Sequence, residues 1–582
     1  MAETLLIYDQ REKQKQSRGA PFWPSAGLWY MLAGLLLGYL SCIVAAIASL
    51  EKLARHPMAE QLPGVALSPL GLWLPSRLVF FLSSFLPFLN RADLTFHALI
   101  LLLFVDYGLL LGVVWKLASE PGRLRWLLGL VGGILLIGGG VLSVAPGMLS
   151  HDIFVYAGYG RVMVAHGANP YFVPLSAFPS DPLASLDDWK TAVAAYGPLW
   201  LLICAIFGWF LGTNAPAYLL AFRLLALAAH LLNVGLIALI LRRLGRSERV
   251  VALGAILYGL NPLMLVESAL GAHNDVLMMS CVLLACWFCA DARGLRLEGW
   301  PCWLMALTAL MLAALIKFTA LLGVALLLCL LVFQTLQGGG EQRLLRALSQ
   351  RWRPALGRLV LALLWIGLLW LVAYLPFWLG HSPREIIVSL VAPPSTSREL
   401  GQFSILRAIQ EWRHYHPQLP GGWKGQALVL LGRRSTWNLI QGLALLVTLG
   451  WALWSLWRQP RLGRWASGSL LTMGAIFVVT PWFFPWYLAW LLALAPLALP
   501  QREQSGWLEY ALQVFVLVFS LSAFAVYFSR GYLAAGGGWI GWMGLSAVAP
   551  PSLAFGLAWL GGWWRGRQRD GRGPFRLHLA GS

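Results

Sequence analysis

SHDIFVYAGYGRVMVAHGANPYF, residues 150–172, is where this 582-residue chain stops reading as a string of apolar runs. The polar stretch continues through SDPLASLDDWK (180–190) and closes on YGPLW (196–200). Asp, His, Arg, Tyr and Asn crowd into it, and segments long enough to cross a bilayer stand on both sides. A dense polar interruption between spans points to an all-α polytopic membrane protein. Its chemistry is expected around Asp152.

Composition supports that class. The chain is 59% hydrophobic and 12% charged, with mean hydropathy +0.69, whereas soluble proteins carry about 25% charged residues. Many of its 31 tryptophans sit at span ends, among them Trp115, Trp454, Trp457, Trp563 and Trp564, where an amphipathic ring suits the headgroup zone. The formal charge of +19 reads as arginines at the cytoplasmic ends of helices rather than as a nucleic-acid surface, and no basic-aromatic array is present. All seven cysteines lie in or near apolar runs. Cys286 and Cys289 form a CxxC inside an expected span with no His or carboxylate pair beside it, so they read as core thiols.

Three parts follow from the chain order. Residues 1–26 form a basic N-terminal tail, 27–560 a membrane domain, and 561–582 a basic C-terminal tail. The run 27–50 is too long for a signal-peptide core and reads as a retained first span; 51–92 reads as an interfacial excursion. Further spans are expected near 94–117, 126–147, 217–241, 250–268, 275–291, 301–317, 319–335, 357–379, 436–457, 466–483, 486–500, 507–528 and 540–560, about fourteen in all. With the N-terminus inside, 27 Lys and Arg fall on the cytoplasmic side and 14 on the other, and Arg223 and Lys317 lie within spans. That bias puts both termini in the cytoplasm of an inner (plasma) membrane protein, with loops 148–198 and 381–435 outside. Residues 197–212 are apolar, but counting them as a span reverses every later loop. They read as an interfacial or re-entrant helix.

Four constellations carry chemistry. His151 and Asp152 stand at the outer end of the third span, where lost hydration raises a carboxyl pKa and suits a general base; the plain alternative is a helix-end carboxylate capping an amide. Asn261, Pro262 and Glu267 lead to Gly271-Ala272-His273-Asn274-Asp275, where Asn274 or Asp275 can equally cap the next helix. Lys317, in LIKFTALL, is a cation at the outer face for a lipid-linked phosphate, with Arg161, Arg223 and His273 as competitors and snorkelling as the bland reading. TPWFFPWY (480–487) offers Trp486 and Tyr487 as stacking surfaces for a sugar ring, or as belt anchors. Arg398 and Glu399 are weaker candidates.

No GxxxxGKS loop, GxGxxG after a strand, HExxH or GxSxG occurs. An enzyme of this shape needs a substrate whose leaving group is already activated and membrane-borne. The ordered set Ser150-x-Asp152-x-x-x-Tyr156, Asn169-Pro170-Tyr171, Tyr196-Gly-Pro-Leu199, Asn261-Pro-Leu…Glu267…His273-Asn274-Asp275, Lys317-Phe-Thr319 and Pro485-Trp486-Tyr487 resembles the GT-C superfamily of membrane glycosyltransferases. More narrowly it is similar to bacterial polyprenol-phosphate-mannose-dependent α-mannosyltransferases. The resemblance spans roughly residues 140–500 and departs in having two additional spans before the first large outer loop.

The resemblance implies inverting transfer from a polyprenyl-phosphate sugar, mannose by analogy, to a glycan or glycolipid acceptor. Asp152 is then the base, with Asp187, Asp188 and Asp275 as alternatives. Donor contacts are expected from Lys317, Arg161, His273, Asn274, Asp275, Glu267, Tyr156, Asn169, Tyr171, Tyr196, Trp486 and Tyr487. No cofactor is required; a divalent metal could assist the phosphate, but no ligand cluster calls for one. Competing readings are a flippase or transporter of a lipid-linked saccharide, which calls for charges deep in several spans, and a lipid-linked glycan polymerase or ligase, which the basic loop 381–435 suits.

Overall fold

The computed structural model describes residues 25–54, 92–118, 122–146, 149–291, 300–337, 344–391, 403–418, 420–499, 506–527 and 540–569. The excursion 51–92 falls largely outside these, as do Arg398, Glu399 and most of both tails.

The described residues are helical. In chain order the helices are α1 (Ser25–Ala54), α2 (Ala92–Leu117), α3 (Leu124–Ser143), α4 (Asp152–Val164), α5 (Pro198–Leu211), α6 (Ala215–Arg243), α7 (Glu248–Gly259), α8 (Pro262–Ala269), α9 (Asp275–Cys289), α10 (Trp300–Ile316), α11 (Leu321–Gln337), α12 (Leu344–Trp378), α13 (Pro383–Val391), α14 (Ile405–Tyr415), α15 (Trp423–Leu431), α16 (Arg434–Arg458), α17 (Leu462–Val479), α18 (Leu488–Leu494), α19 (Trp507–Ser522) and α20 (Ile540–Arg569). Ten among the described residues are long and apolar enough to cross a bilayer, and α7 with α8, bent by 52°, makes an eleventh if taken as one span. The expected count of about fourteen is not reached on length. The remaining three, Asp275–Cys289, Cys302–Ile316 and Pro485–Ala498, are shorter apolar helices. The first begins at Asp275 and the second ends just before Lys317, both part of the site described below.

Local chemistry explains the breaks. Pro262 brings no N–H to the helix it opens, and the Asn261 side chain accepts from the amides of Leu263 at 3.1 Å and Met264 at 3.3 Å, so α8 starts afresh at an angle to α7. Within residues 197–212 runs the 14-residue helix α5, capped by Gly197 and Gly212, which lies against α4. The two meet backbone to backbone: a Cβ on Gly160 would lie 2.2 Å from the Cys204 carbonyl oxygen, and one on Gly208 would lie 2.8 Å from that of Gly160. Only glycine permits that approach.

The ends of α3, α8, α10 and α17 and the starts of α4, α9 and α11 gather at one end of the bundle. At the other end Arg123, before α3, lies 5.8 Å over the Trp29 ring of α1, and Trp507 of α19 meets Trp559 of α20 at 5.2 Å. The start of α1 and the end of α20 therefore both lie away from the Asp152 end. The described residues of the loop 381–435 include the short helices α13, α14 and α15. Cys286 and Cys289 are buried free thiols in α9.

Candidate active site

The pocket is built from three arms. The first is the start of α4. Ser150 Oγ donates to Asp152 Oδ1 at 3.1 Å and accepts the Asp152 N–H at 3.3 Å, which fixes the carboxylate in the first helical turn. That position favours an anion, because unpaired amides give the helix start a partial positive charge. The Asp152 side chain stays 13% exposed.

The second arm is the connection from α8 to α9. After Ala269 the chain turns back on itself. Gly271 N–H bonds to the Val266 carbonyl at 2.9 Å, Ala272 N–H to Ser268 at 3.1 Å, and His273 N–H to Glu267 at 3.2 Å. Ala272 takes φ +54°, a left-handed conformation unusual for a residue with a side chain. A Cβ on Gly271 would sit 2.8 Å from His273 Cδ2, so glycine is what admits the ring. His273, fully buried, then stands between two carboxylates: Nδ1 is 3.5 Å from Asp152 Oδ2, and Nε2 is 3.2 Å from Glu267 Oε2. Neither contact is aligned as a hydrogen bond. Glu267 accepts a hydrogen bond from the Tyr527 hydroxyl. Trp486 lies flat on the imidazole at 4.0 Å, and Phe484 lies on Trp486 at 4.5 Å.

These neighbours set the protonation states. Burial alone pushes the Asp152 carboxyl up, as expected from the sequence. His273, the Lys317 charge and Ser150 outweigh burial and hold it below the usual carboxylate range. Burial alone pushes His273 down, but Asp152 and Glu267 on either side raise it to about 9. Asp152 is thus an anion backed by an imidazolium, and the expected upward shift is corrected.

The third arm carries Lys317. Its ammonium reaches both oxygens of buried Asp275, at 2.8 and 2.9 Å, and Trp490 Nε1 donates to Asp275 Oδ1 at 2.6 Å. Lys317 lies 4.9 Å over the Tyr487 ring and 5.8 Å from that of Tyr196, distances that attract a cation to a π face. Tyr196 is held there by Gly197, whose N–H bonds to the Ile316 carbonyl at 3.0 Å; a Cβ on Gly197 would meet the Leu315 carbonyl oxygen at 2.2 Å. The Lys317 side chain is 13% exposed, like that of Asp152. Tyr156, one turn beyond Asp152, is buried against Tyr196 at 5.6 Å and Trp200 at 4.9 Å. Asn274 precedes α9 without capping it by its side chain, and among the described residues its amide has no hydrogen-bond partner.

The structure thus gathers Asp152, Glu267, His273, Asn274, Asp275, Lys317, Tyr156, Tyr196, Trp486 and Tyr487. It takes other expected residues elsewhere. His151 is not the group against Asp152; its Nδ1 lies 2.9 Å from Asp188 Oδ2, and His273 occupies that place instead. Arg161 is two and a half helical turns past Asp152, and its Nε and Nη2 both bind Asp181 at 2.9 Å. Asn169 Nδ2 donates to the Phe377 carbonyl at 2.6 Å, and the Tyr171 hydroxyl donates to the Tyr196 carbonyl at 2.8 Å, so both pin the segment between α4 and α5 to its surroundings. Lys317 is not an unpaired cation but half of an ion pair. Sequence reading missed Tyr527 and Trp490. The first lies in an ordinary apolar run; the second follows the aromatic stretch 480–487, whose Phe484 stacks on Trp486. Among the described residues no group of three or more His, Cys, Asp or Glu side chains is arranged to hold a metal.

Residues 71–333 match the family described as alpha-(1->6)-mannopyranosyltransferase, N-terminal domain. A probable alpha-(1->6)-mannopyranosyltransferase of Mycolicibacterium smegmatis is 32% identical over 147 residues, covering 24% of this chain and 25% of that protein. An alpha-(1->6)-mannopyranosyltransferase of Mycobacterium tuberculosis is 31% identical over 165 residues, 28% of this chain and 27% of its own length. Alpha-(1->6)-mannopyranosyltransferase A of Corynebacterium glutamicum is 27% identical over 143 residues, 24% of this chain and 28% of its own. The matches therefore span about a quarter of the length of these curated relatives. No solved structure matches. The family match takes in Asp152, Glu267, His273, Asp275 and Lys317, so the residues gathered in the site of this multi-pass membrane chain lie within the stretch, 71–333, that is similar to the alpha-(1->6)-mannopyranosyltransferase family.

Proposed function

We propose that this protein is an inverting glycosyltransferase that moves mannose from a polyprenyl-phosphate donor in the bilayer to a hydroxyl of a glycan or glycolipid acceptor. The α-(1→6) linkage is carried from the names of its relatives. One observation supports this reading above the rest. In this site a carboxylate and an ammonium, Asp152 and Lys317, are each partly exposed, and each is backed by a buried group of opposite charge.

In the proposed reaction the Asp152 carboxylate takes the proton of the acceptor hydroxyl. The acceptor oxygen bonds to the anomeric carbon from the face opposite the phosphate. The anomeric carbon–phosphate oxygen bond breaks, and polyprenyl phosphate leaves with the electron pair. Lys317 faces the charge that builds on the phosphate, in a site where water is scarce and such contacts are strong. His273 keeps Asp152 ionised, and Trp486 holds the imidazole in plane. The scheme draws on no cofactor, bound metal or nucleic acid. We place the protein in the plasma membrane with both termini cytoplasmic and the pocket outside. The Lys and Arg bias supports this, as does the position of the start of α1 and the end of α20 away from the pocket.

The test is purified protein in detergent with polyprenyl-phosphate-mannose and a mannoside acceptor. An α-linked mannosyl product is expected. A β-linked product, or none while the donor stays intact, overturns the reading. Lys317→Ala is expected to raise KM for the donor about tenfold and leave acceptor KM nearly unchanged. An effect confined to the acceptor removes Lys317 from the phosphate role.

A further inference from the structure

Arg223 lies in α6, fully buried in the bundle. Its Nε donates to the Leu270 carbonyl at 3.0 Å, and its Nη1 donates to the carbonyls of Ala145 at 2.7 Å and Ser143 at 3.4 Å. Ser143 ends α3, Ala145 follows it closely, and Leu270 is the C-cap of α8. Carbonyls at helix ends lack partners within the helix and carry the negative end of its dipole. A guanidinium suits them, and its planar fork fixes the direction of each bond.

The two tethered ends lead straight to the pocket. Seven residues past Ala145 the chain reaches Asp152, and three past Leu270 it reaches His273. The Asp152–His273 contact cannot set its own spacing, being 3.5 Å long and not aligned as a hydrogen bond. The backbone between Leu270 and His273 holds Ala272 at φ +54°, a conformation that persists only where the surroundings impose it. Something must hold both segments from outside, and Arg223 touches the root of each.

We propose that Arg223 is a positioning residue whose guanidinium clamps the ends of α3 and α8 and thereby sets the separation of Asp152 and His273. The proposal rests on the glycosyl-transfer reading. The titratable groups facing the pair are Glu267 from α8, Tyr527 beyond α19, Asp275 and Lys317, Tyr156 and Tyr159 from α4, Tyr196 before α5, Tyr487 before α18, and Asp187 from the segment between α4 and α5.

The experiment compares R223K and R223Q with wild type in the transfer assay, reading kcat, both KM values and the pH profile. A misplacement of about 1 Å costs about 100-fold, so R223Q is expected to lose about that much kcat with KM little changed. R223K, which keeps the charge but not the fork, is expected to lose about tenfold. The pH profile carries the distinction. Moving the imidazolium away lets the Asp152 pKa rise and the His273 pKa fall, so the acid limb shifts up and the alkaline limb shifts down. A fraction of unfolded enzyme lowers the amplitude and moves neither limb. Unmoved limbs in variants of an active wild type overturn the clamp alone, whereas a wild type without transfer at any pH defeats the underlying reading. A loss seated in KM, or failure of both variants to accumulate as folded protein, also overturns the positioning role.

Discussion

Asp152 and Asp181 lie in one polar segment, and each has a histidine and a cation in reach, yet the two constellations differ in kind. Asp181 is sealed. Its Oδ2 receives Arg161 Nε and Nη2 and contacts His166 Nε2, all at 2.9 Å, while Oδ1 takes the Leu183 N–H at 3.0 Å. His166 is in turn stacked on Phe178 at 3.9 Å. Asp152 is open. One oxygen has Ser150, the other has only a loose imidazolium, and part of the side chain meets the pocket. Both carboxyls titrate below the usual range against the pull of burial, so low pKa alone does not separate them. Access does: a satisfied carboxylate holds a loop together, and an unsatisfied one can still take a proton. Asp187 makes a third case. Burial pushes it up to about 7, with Asp188 and Asp152 adding to the rise, and the Trp189 amide and Lys190 offset this only in part.

The contrast can be broken in order of expected effect. Asp152→Asn is expected to cut kcat by about 10²–10⁴-fold with a smaller loss of thermal stability than in Asp181→Asn, because Glu267 still faces His273; wild-type-like turnover removes Asp152 from the base role. Asp181→Asn is expected to reverse the pattern. Leaving Arg161 without its buried partner costs about 3 kcal/mol, read by denaturation, while turnover per folded molecule stays within about twofold. Should Asp181→Asn abolish turnover at full stability, the sealed constellation is not merely structural.

His273→Gln tests the open site through pH. Wild-type activity is expected to fall as pH rises through about 9, where His273 loses its proton. His273 has a raised folded pKa, so its contribution to stability is full below its unfolded value and lost as pH climbs toward 9. Asp152 has a depressed folded pKa, so its contribution is present above the ordinary carboxylate value and lost as pH falls through the folded one. In His273→Gln the alkaline limb should vanish and the acid limb move up by about one unit. The smallest change is Ala272→Gly. Relief of the left-handed backbone, less the added freedom of the unfolded chain, is expected to raise stability by about 0.5–1 kcal/mol, seen as a higher Tm.

How far the sequence reached follows the range of each interaction. Helical spans depend on local apolarity, so long ones such as α2, α6 and α16 are plain in the chain. The short helices α9 and α10 are harder, because burial by neighbours replaces length as their support. The pocket's polar members stood out because Glu267, His273 and Asp275 are expensive in a membrane protein without a purpose. Their pairing was not legible. Lys317 reads as a free cation until Asp275, 42 residues away, is seen beneath it. His151 adjoins Asp152 in sequence, but a helix start sends the two side chains apart, so the partner came from another helix. Tyr527 carries no local signal; only the fold brings it to Glu267.

That last contact has a consequence for biosynthesis. Asp275 receives Lys317 42 residues after it is made, but Trp490 arrives 215 residues later, and Glu267 waits 260 residues for Tyr527. At translation rates of about 5–20 residues per second, the ribosome needs on the order of ten seconds or more to supply those donors. Two acidic side chains enter the membrane before the groups that will satisfy them, and the pocket closes only when the penultimate described helix has been inserted.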